Sequence, residues 1–174
     1  MKILDTERLI LRTLEAEDAS FYLELVNDPS WLENIGDKGI RTVDAAREAI
    51  LNGPCAMQRE RGHSLYMVVR REDGAPMGLC GLIKRDSLPD VDIGYALRPA
   101  YWGKGYAWEA AAAVVAYARD VVGLPRLLGI TDPANTGSNY LLQKLGLSFV
   151  EFTHLPPDNR GTNLYRLEFP ARII

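Results

Sequence analysis

The sequence predicts a single α/β (α+β) domain whose central sheet is mixed but mostly antiparallel, with helices on both faces. Three observations point there. Strand-like segments at residues 64–70, 77–84 and 91–97 follow one another with turn residues between them, the pattern of a meander. The third segment runs into a glycine turn and then an alanine-rich apolar run, 107–122, of helical length. Gly123 closes that run and a further strand-like segment, 126–131, follows; a helical crossover of this kind joins parallel strands.

At 174 residues, with no linker, repeat or low-complexity segment, residues 1–174 read as one domain. A chain of this size buries about 70% of its unfolded surface, enough for a core without staples. Apolar residues at 47% and charged residues at 25% are ordinary for a globular protein. A formal charge of −3 argues against a broad basic face for nucleic acid but leaves room for a local anion site. Cys55 and Cys80 are the only cysteines and suggest no disulfide framework. No signal-peptide pattern and no run of about 18 apolar residues is present, so a cytoplasmic protein that does not enter a membrane is expected.

In chain order, residues 8–12 read as an opening strand, and 16–27 as a helix with Ala19, Phe21, Tyr22, Leu25 and Val26 at helical spacing. Asp28-Pro29 stops that helix, and 31–41, with Gly36 and Gly39, reads as loop or a broken helical turn. Thr42 caps a helix that Gly53-Pro54 ends. Glu72-Asp73-Gly74 turns the hairpin between 64–70 and 77–84. Residues 135–146 read as a short helix closed by Gly146, and 149–153 with 163–169 as a last strand pair around the mobile-looking loop 155–161.

The chain is organised around residues 97–109, Leu-Arg-Pro-Ala-Tyr-Trp-Gly-Lys-Gly-Tyr-Ala-Trp-Glu. The first amides of a helix have no intrahelical partner and, with the helix dipole, offer a site for an anion. Gly103 and Gly105 allow positive φ and remove the side chains that would keep a phosphate off the backbone, and Arg98 and Lys104 flank the turn. A diphosphate fits such a turn.

Together with the downstream stretch Asn135-Thr-Gly-Ser138 through Gly146-Leu147, this turn resembles the GNAT superfamily of acetyl-CoA-dependent N-acetyltransferases. That family's turn runs Gln/Arg-x-x-Gly-x-Gly/Ala; Gly105 and Ala107 stand at its last two fixed positions, and Trp102 replaces the Gln or Arg. The wording Tyr101 to Ala107, the opening 6–12 (Thr-Glu-Arg-Leu-Ile-Leu-Arg) and Ile93-Gly-Tyr95 are closest to the ribosomal-protein N-terminal acetyltransferase branch. The resemblance implies a GNAT-like fold, acetyl-CoA as cosubstrate with no metal, and a primary amine as acceptor. That amine is a protein N-terminal α-amine or a small amine, and the protein acts as a monomer or homodimer.

Site residues follow from the same resemblance. The turn residues Trp102, Gly103, Lys104, Gly105, Tyr106 and Ala107 and the strand end at Ala96, Leu97 and Arg98 would bind the cofactor, a backbone N–H of that strand end serving the thioester oxyanion. Asn135 would contact the pantetheine amides. Asp92, where relatives often carry Glu, is the first candidate base, on a strand face that Gly94 and Ala96 leave uncrowded; a solvated strand residue is the other reading. His63 and His154 are weaker candidates. The tyrosine that many relatives use as acid is Leu142 here, and Tyr140 points from another face, so Ser138 is the candidate donor to the leaving sulfur, with helix capping as its other reading. Trp102, Tyr106 and Trp108 read as packing residues or as a stacking set for adenine. A non-catalytic acyl-CoA sensor is the alternative to an enzyme; a nucleotide-binding P-loop lacks its Gly-x-x-x-x-Gly-Lys-Ser/Thr.

Overall fold

The computed structural model describes residues 1–171. Strands β1 (Lys2–Asp5) and β2 (Leu9–Thr13) open the chain, followed by helices α1 (Ala19–Val26), α2 (Pro29–Asn34), α3 (Val43–Ile50) and α4 (Ala56–Arg61). The meander β3 (Leu65–Arg70), β4 (Pro76–Ile83), β5 (Asp92–Leu97) leads into α5 (Tyr106–Tyr117), then β6 (Arg126–Thr131), α6 (Thr136–Lys144), β7 (Ser148–Leu155) and β8 (Arg160–Glu168). The eight strands form one sheet in the order β1-β2-β3-β4-β5-β6-β8-β7. Every neighbouring pair is antiparallel except β5 and β6, the pair that the α5 crossover joins.

Each sheet face buries its own apolar layer. Leu9, Leu11, Tyr66, Val68, Ile93 and Leu127 pack beneath α5, whose Ala110 and Ala111, almost fully buried, bring the helix close to the strands. Met67 and Leu79 face the other way, under Tyr22 and Leu25 of α1, Trp31 of α2 and Ala46 and Ile50 of α3. A small residue also sets how closely α6 meets β6. A Cβ on Gly129 would lie 2.8 Å from Leu142 Cδ1 and 3.1 Å from Leu147 Cδ2, so the missing side chain is the seat of that helix.

The structure departs from the sequence-based elements in four places. Strand β1 pairs with β2 although its four residues carry little alternation. Asp28-Pro29 ends α1 but also begins α2: Asp28 Oδ1 accepts from Ser30 N at 2.9 Å, with Pro29 at the first helical position where its missing N–H costs nothing. Gly53-Pro54 does not end the third helix. The chain passes through a wide π turn, Leu51–Cys55, into α4 and stops at Gly62, whose left-handed φ of +76° favours glycine. The last hairpin is longer than expected, with Leu155 opposite Arg160, so the loop shrinks to residues 156–159.

Gly129→Ala should destabilise the protein by about 1–3 kcal/mol in urea unfolding, and combining it with Leu142→Ala should cost less than the two changes summed. Strict additivity would mean that Gly129 is not the seat of α6.

Candidate active site

Strands β5 and β6 hold together only at Asp92 opposite Leu128 and Ile93 opposite Gly129, and then part. Hydrogen bonds alternate in direction along a strand. Arg98 N donates to Met77 O at 2.9 Å, toward β4, and Ala96 stands opposite Leu79 in the same ladder. Tyr95 and Leu97 therefore turn their N–H groups toward β6, beyond the point where that ladder ends. Of the three residues expected at the strand end, Leu97 carries the available amide; Ala96 and Arg98 spend theirs on β4. Pro99, which has no N–H, prevents the strand from continuing, and Trp102 Nε1 donates to Leu97 O at 2.9 Å, fixing the turn to the strand end.

The turn has the predicted backbone. Gly103 and Gly105 have φ of +71° and +79°, and α5 begins at Tyr106 with no side-chain cap. Its first intrahelical bond runs from Glu109 N to Gly105 O at 3.0 Å, so the amides of Tyr106, Ala107 and Trp108 precede it. The cations expected beside the turn are engaged elsewhere. Arg98 Nη2 pairs with Glu24 Oε2 of α1 at 2.9 Å, and Lys104 Nζ donates to Ala100 O at 3.4 Å. Tyr106 is buried in packing, but Trp102 and Trp108 are not core residues: both are substantially exposed, Trp108 under the Lys144 ammonium at 4.8 Å.

Across the gap stands α6. Asn135 is its N-cap, Oδ1 accepting from Ser138 N at 3.1 Å, so the capping reading of Ser138 is replaced by capping through Asn135. The Ser138 hydroxyl lies 2.7 Å from the hydroxyl of Tyr95. Burial pushes the Tyr95 phenol well above its usual range, so it stays protonated. Asn139 binds the helix to the sheet: its Oδ1 accepts from Thr131 Oγ1 (2.6 Å) and Tyr165 Oη (2.8 Å), and its Nδ2 donates to Asn135 O (2.8 Å). Leu142 is in the core and Tyr140 is 67% exposed, so neither sits at the gap.

Asp92 lies at the foot of the gap, one rung before the last paired one. Its carboxylate is fully buried and takes the Arg85 Nε at 3.1 Å. Burial pushes its pKa up to about 6, against the pull of Arg85. Neither sequence reading describes this environment: the residue is not solvated, and the strand face is not open, since a Cβ on Gly94 would meet Ile83 Cδ1 at 2.8 Å and Leu65 Cδ2 at 3.2 Å. His63 is buried with Nδ1 3.2 Å from Leu82 O, and burial lowers its pKa. His154 is on the outermost strand, its ring 5.2 Å from that of Phe152.

A cleft of about 590 Å³ lies between Asp28, the cap of α2, with Ser30 and Glu33 of that helix, Pro99 and Trp102 after β5, and Asn135 and Thr136 at the start of α6. Arg160, unflagged in the sequence, ties its walls together: Nη2 pairs with Asp132 Oδ2 at 2.5 Å and donates to the Glu33 carbonyl. The amides of Leu97 and the first turn of α5, with two glycines where side chains would intrude, fit a thioester joined to a diphosphate. Among the described residues no group of three or more His, Cys, Asp or Glu is placed to hold a metal ion, and no helix is long and apolar enough to cross a membrane.

Residues 8–148 match the acetyltransferase (GNAT) domain family. The chain is 31% identical over 148 residues to the uncharacterized N-acetyltransferase p20 of Bacillus licheniformis, covering 83% of this chain and 82% of that one. It is 28% identical over 145 residues to the uncharacterized N-acetyltransferase YoaA of Bacillus subtilis, covering 83% and 81%. An acetyltransferase from Agrobacterium tumefaciens superposes with a TM-score of 0.81 at 25% identity over 97% of this chain and 95% of the other. RimL, a ribosomal L7/L12 α-N-protein acetyltransferase solved with coenzyme A, shares the fold with a TM-score of 0.80 at 16% identity over 97% and 98%. With its fold, its cleft and these relatives in agreement, the chain belongs to the GNAT acetyltransferases and is an acyltransferase.

Proposed function

We propose that this enzyme transfers an acetyl group from acetyl-CoA to a primary amine by direct attack within a ternary complex. The observation that carries the reading is the parting of β5 from β6, with the Leu97 N–H on one side and the Ser138 hydroxyl on the other. The amide of Gly105, the N-cap of α5, and those of Tyr106 and Ala107 in its first turn hold the diphosphate, helped by the absent side chains of Gly103 and Gly105. Trp102 and Asn135 line the pantetheine path.

As the amine nitrogen bonds to the acetyl carbon, charge gathers on the thioester oxygen and the Leu97 N–H stabilises it. A donor of this kind is worth about 2.7–4 kcal/mol. The C–S bond then breaks, the Ser138 hydroxyl donates a hydrogen bond to the departing thiolate while Tyr95 Oη donates to Ser138 Oγ, and the thiolate takes its proton from water. The amine proton passes to Asp92 through bridging water, because several residues of strand separate that carboxylate from Leu97 and direct contact is out of reach. A base titrating near 6 is ionised at neutral pH and close enough to neutrality to exchange a proton efficiently.

For the acceptor, a protein N-terminal α-amine is supported by the motif wording of the ribosomal-protein branch and by the RimL-like fold. A small cationic amine is the second reading, favoured by Asp28 and Glu33 on the cleft wall.

Asp92→Asn should lower turnover by about 10²-fold or more with CoA affinity retained. The same change should raise stability. An aspartate whose folded pKa lies above its unfolded value stabilises the fold only while protonated, and that contribution is lost as pH rises from 3.8 through about 6. At pH 7–8 the neutral variant should therefore gain up to roughly 3 kcal/mol in denaturant unfolding. Unchanged turnover would remove Asp92 from the base role, and lost turnover with lost stability would make it a structural partner of Arg85. Gly105→Val forces a β-branched residue to φ +79°; calorimetry should find CoA affinity reduced about 10- to 100-fold, and normal affinity would refute the diphosphate site. Ser138→Ala should lower turnover without melting α6, whereas Asn135→Ala should cost about 1 kcal/mol of stability; equal losses of stability in both would assign Ser138 to the helix rather than to the chemistry.

A further inference from the structure

The glycine turn is tied to the end of β5 by Trp102, but few side chains from elsewhere in the chain hold it. No atom lies within 4 Å of where a Gly103 Cβ would be, and the bonds made by Trp102 and Lys104 side chains stay within residues 97–104. Among the described residues, the side-chain hydrogen bond that reaches the turn's backbone from elsewhere in the chain is that of Arg8, in the loop between β1 and β2: Nη1 donates to Lys104 O at 3.0 Å. The guanidinium lies 4.2 Å from the centre of the Tyr106 ring, and Nη2 is 3.4 Å from the position a Gly105 Cβ would take. Its Nε donates to Glu109 Oε1 at 2.8 Å, while Glu109 Oε2 accepts from Arg8 N at 3.0 Å and Thr6 Oγ1 at 2.5 Å. One side chain thus touches the turn, the first residue of α5 and the carboxylate in that helix's first turn.

We propose that Arg8 is a positioning residue for CoA: it holds the Gly103–Gly105 turn in its binding shape and offsets the Glu109 charge that would otherwise oppose a diphosphate at the start of α5. The inference rests on the reading that this turn holds the diphosphate. Both tasks need a planar fork. The guanidinium bonds a carbonyl and a carboxylate at once while stacked on an aromatic ring, and an ammonium cannot do all three. The arrangement also explains why the opening Thr6-Glu-Arg8 and the Gly-x-Gly-x-x-x-Glu109 wording, about a hundred positions apart, belong to one device.

The test is calorimetric titration of CoA into the full chain as wild type, Arg8→Ala, Arg8→Lys and Arg71→Ala, with melting temperatures recorded alongside. Arg71 is the control because it braces the same loop, Nη2 donating to Thr6 O at 2.8 Å, without touching the turn. Arg8→Ala and Arg8→Lys should each weaken CoA by about 10-fold or more, while Arg71→Ala stays within about twofold of wild type. Arg8→Lys keeps the charge and the apolar stem and so remains readable if Arg8→Ala does not fold. Arg8 variants that melt lower yet bind CoA as wild type does would overturn the proposal, since a purely structural role predicts that result. An equal loss in Arg71→Ala would overturn it by assigning the effect to the loop. Wild type that fails to bind CoA would instead overturn the diphosphate reading itself, and the proposal with it.

Discussion

Beyond Ile93 the backbone of β5 leaves β6, and the geometry of the site follows from that parting. An unpaired amide inside a sheet is costly, because it gives up water without gaining a partner. The fold accepts that cost at Tyr95 and Leu97 and makes continuation impossible with Pro99. The gap opens between two helix starts, α5 and α6, and the Tyr95 and Ser138 hydroxyls meet across it.

Charge is used sparingly around this space. The chain carries a net charge of −3, and the arginines near the cleft serve as braces: Arg98 to Glu24, Arg160 to Asp132, Arg8 to Glu109. In the proposed diphosphate site, anion recognition would fall to amides and the helix dipole, which carry no flexible side-chain entropy and need no compensating carboxylate. Asp92, buried at the foot of the gap, is held against its desolvation cost by Arg85. A buried charge maintained at a loss of stability is a common mark of a functional group.

Features resting on local chemistry were legible in the sequence. The positive φ of Gly103 and Gly105, the α5 crossover and its parallel strand, and the Gly74 hairpin all follow from residues within a few positions of one another. Features that depend on distant partners were not. Strand β1 exists because β2 offers it an edge, and Pro54 sits inside a wide turn that keeps the chain helical. The Tyr95–Ser138 pair spans 43 positions, and the strand face that looked open from its small residues is closed by Ile83 and Leu65 beside Gly94, while Asp92 takes Arg85 as its partner. Arg160 was unremarked and Arg8 entered only as part of the opening wording 6–12, for the same reason: nothing within their own segments tells which carbonyls they reach.

The most direct test of the account is an amide-resolved NMR titration of the labelled protein with CoA and then acetyl-CoA. It predicts that the largest shifts fall on the N–H groups of Leu97, Gly105, Tyr106 and Ala107 and on the start of α6, with Leu97 responding further when the acetyl group is present. Shifts confined to another part of the sheet, or a Leu97 amide indifferent to both ligands, would contradict the claim that the parted strands are where acetyl transfer occurs.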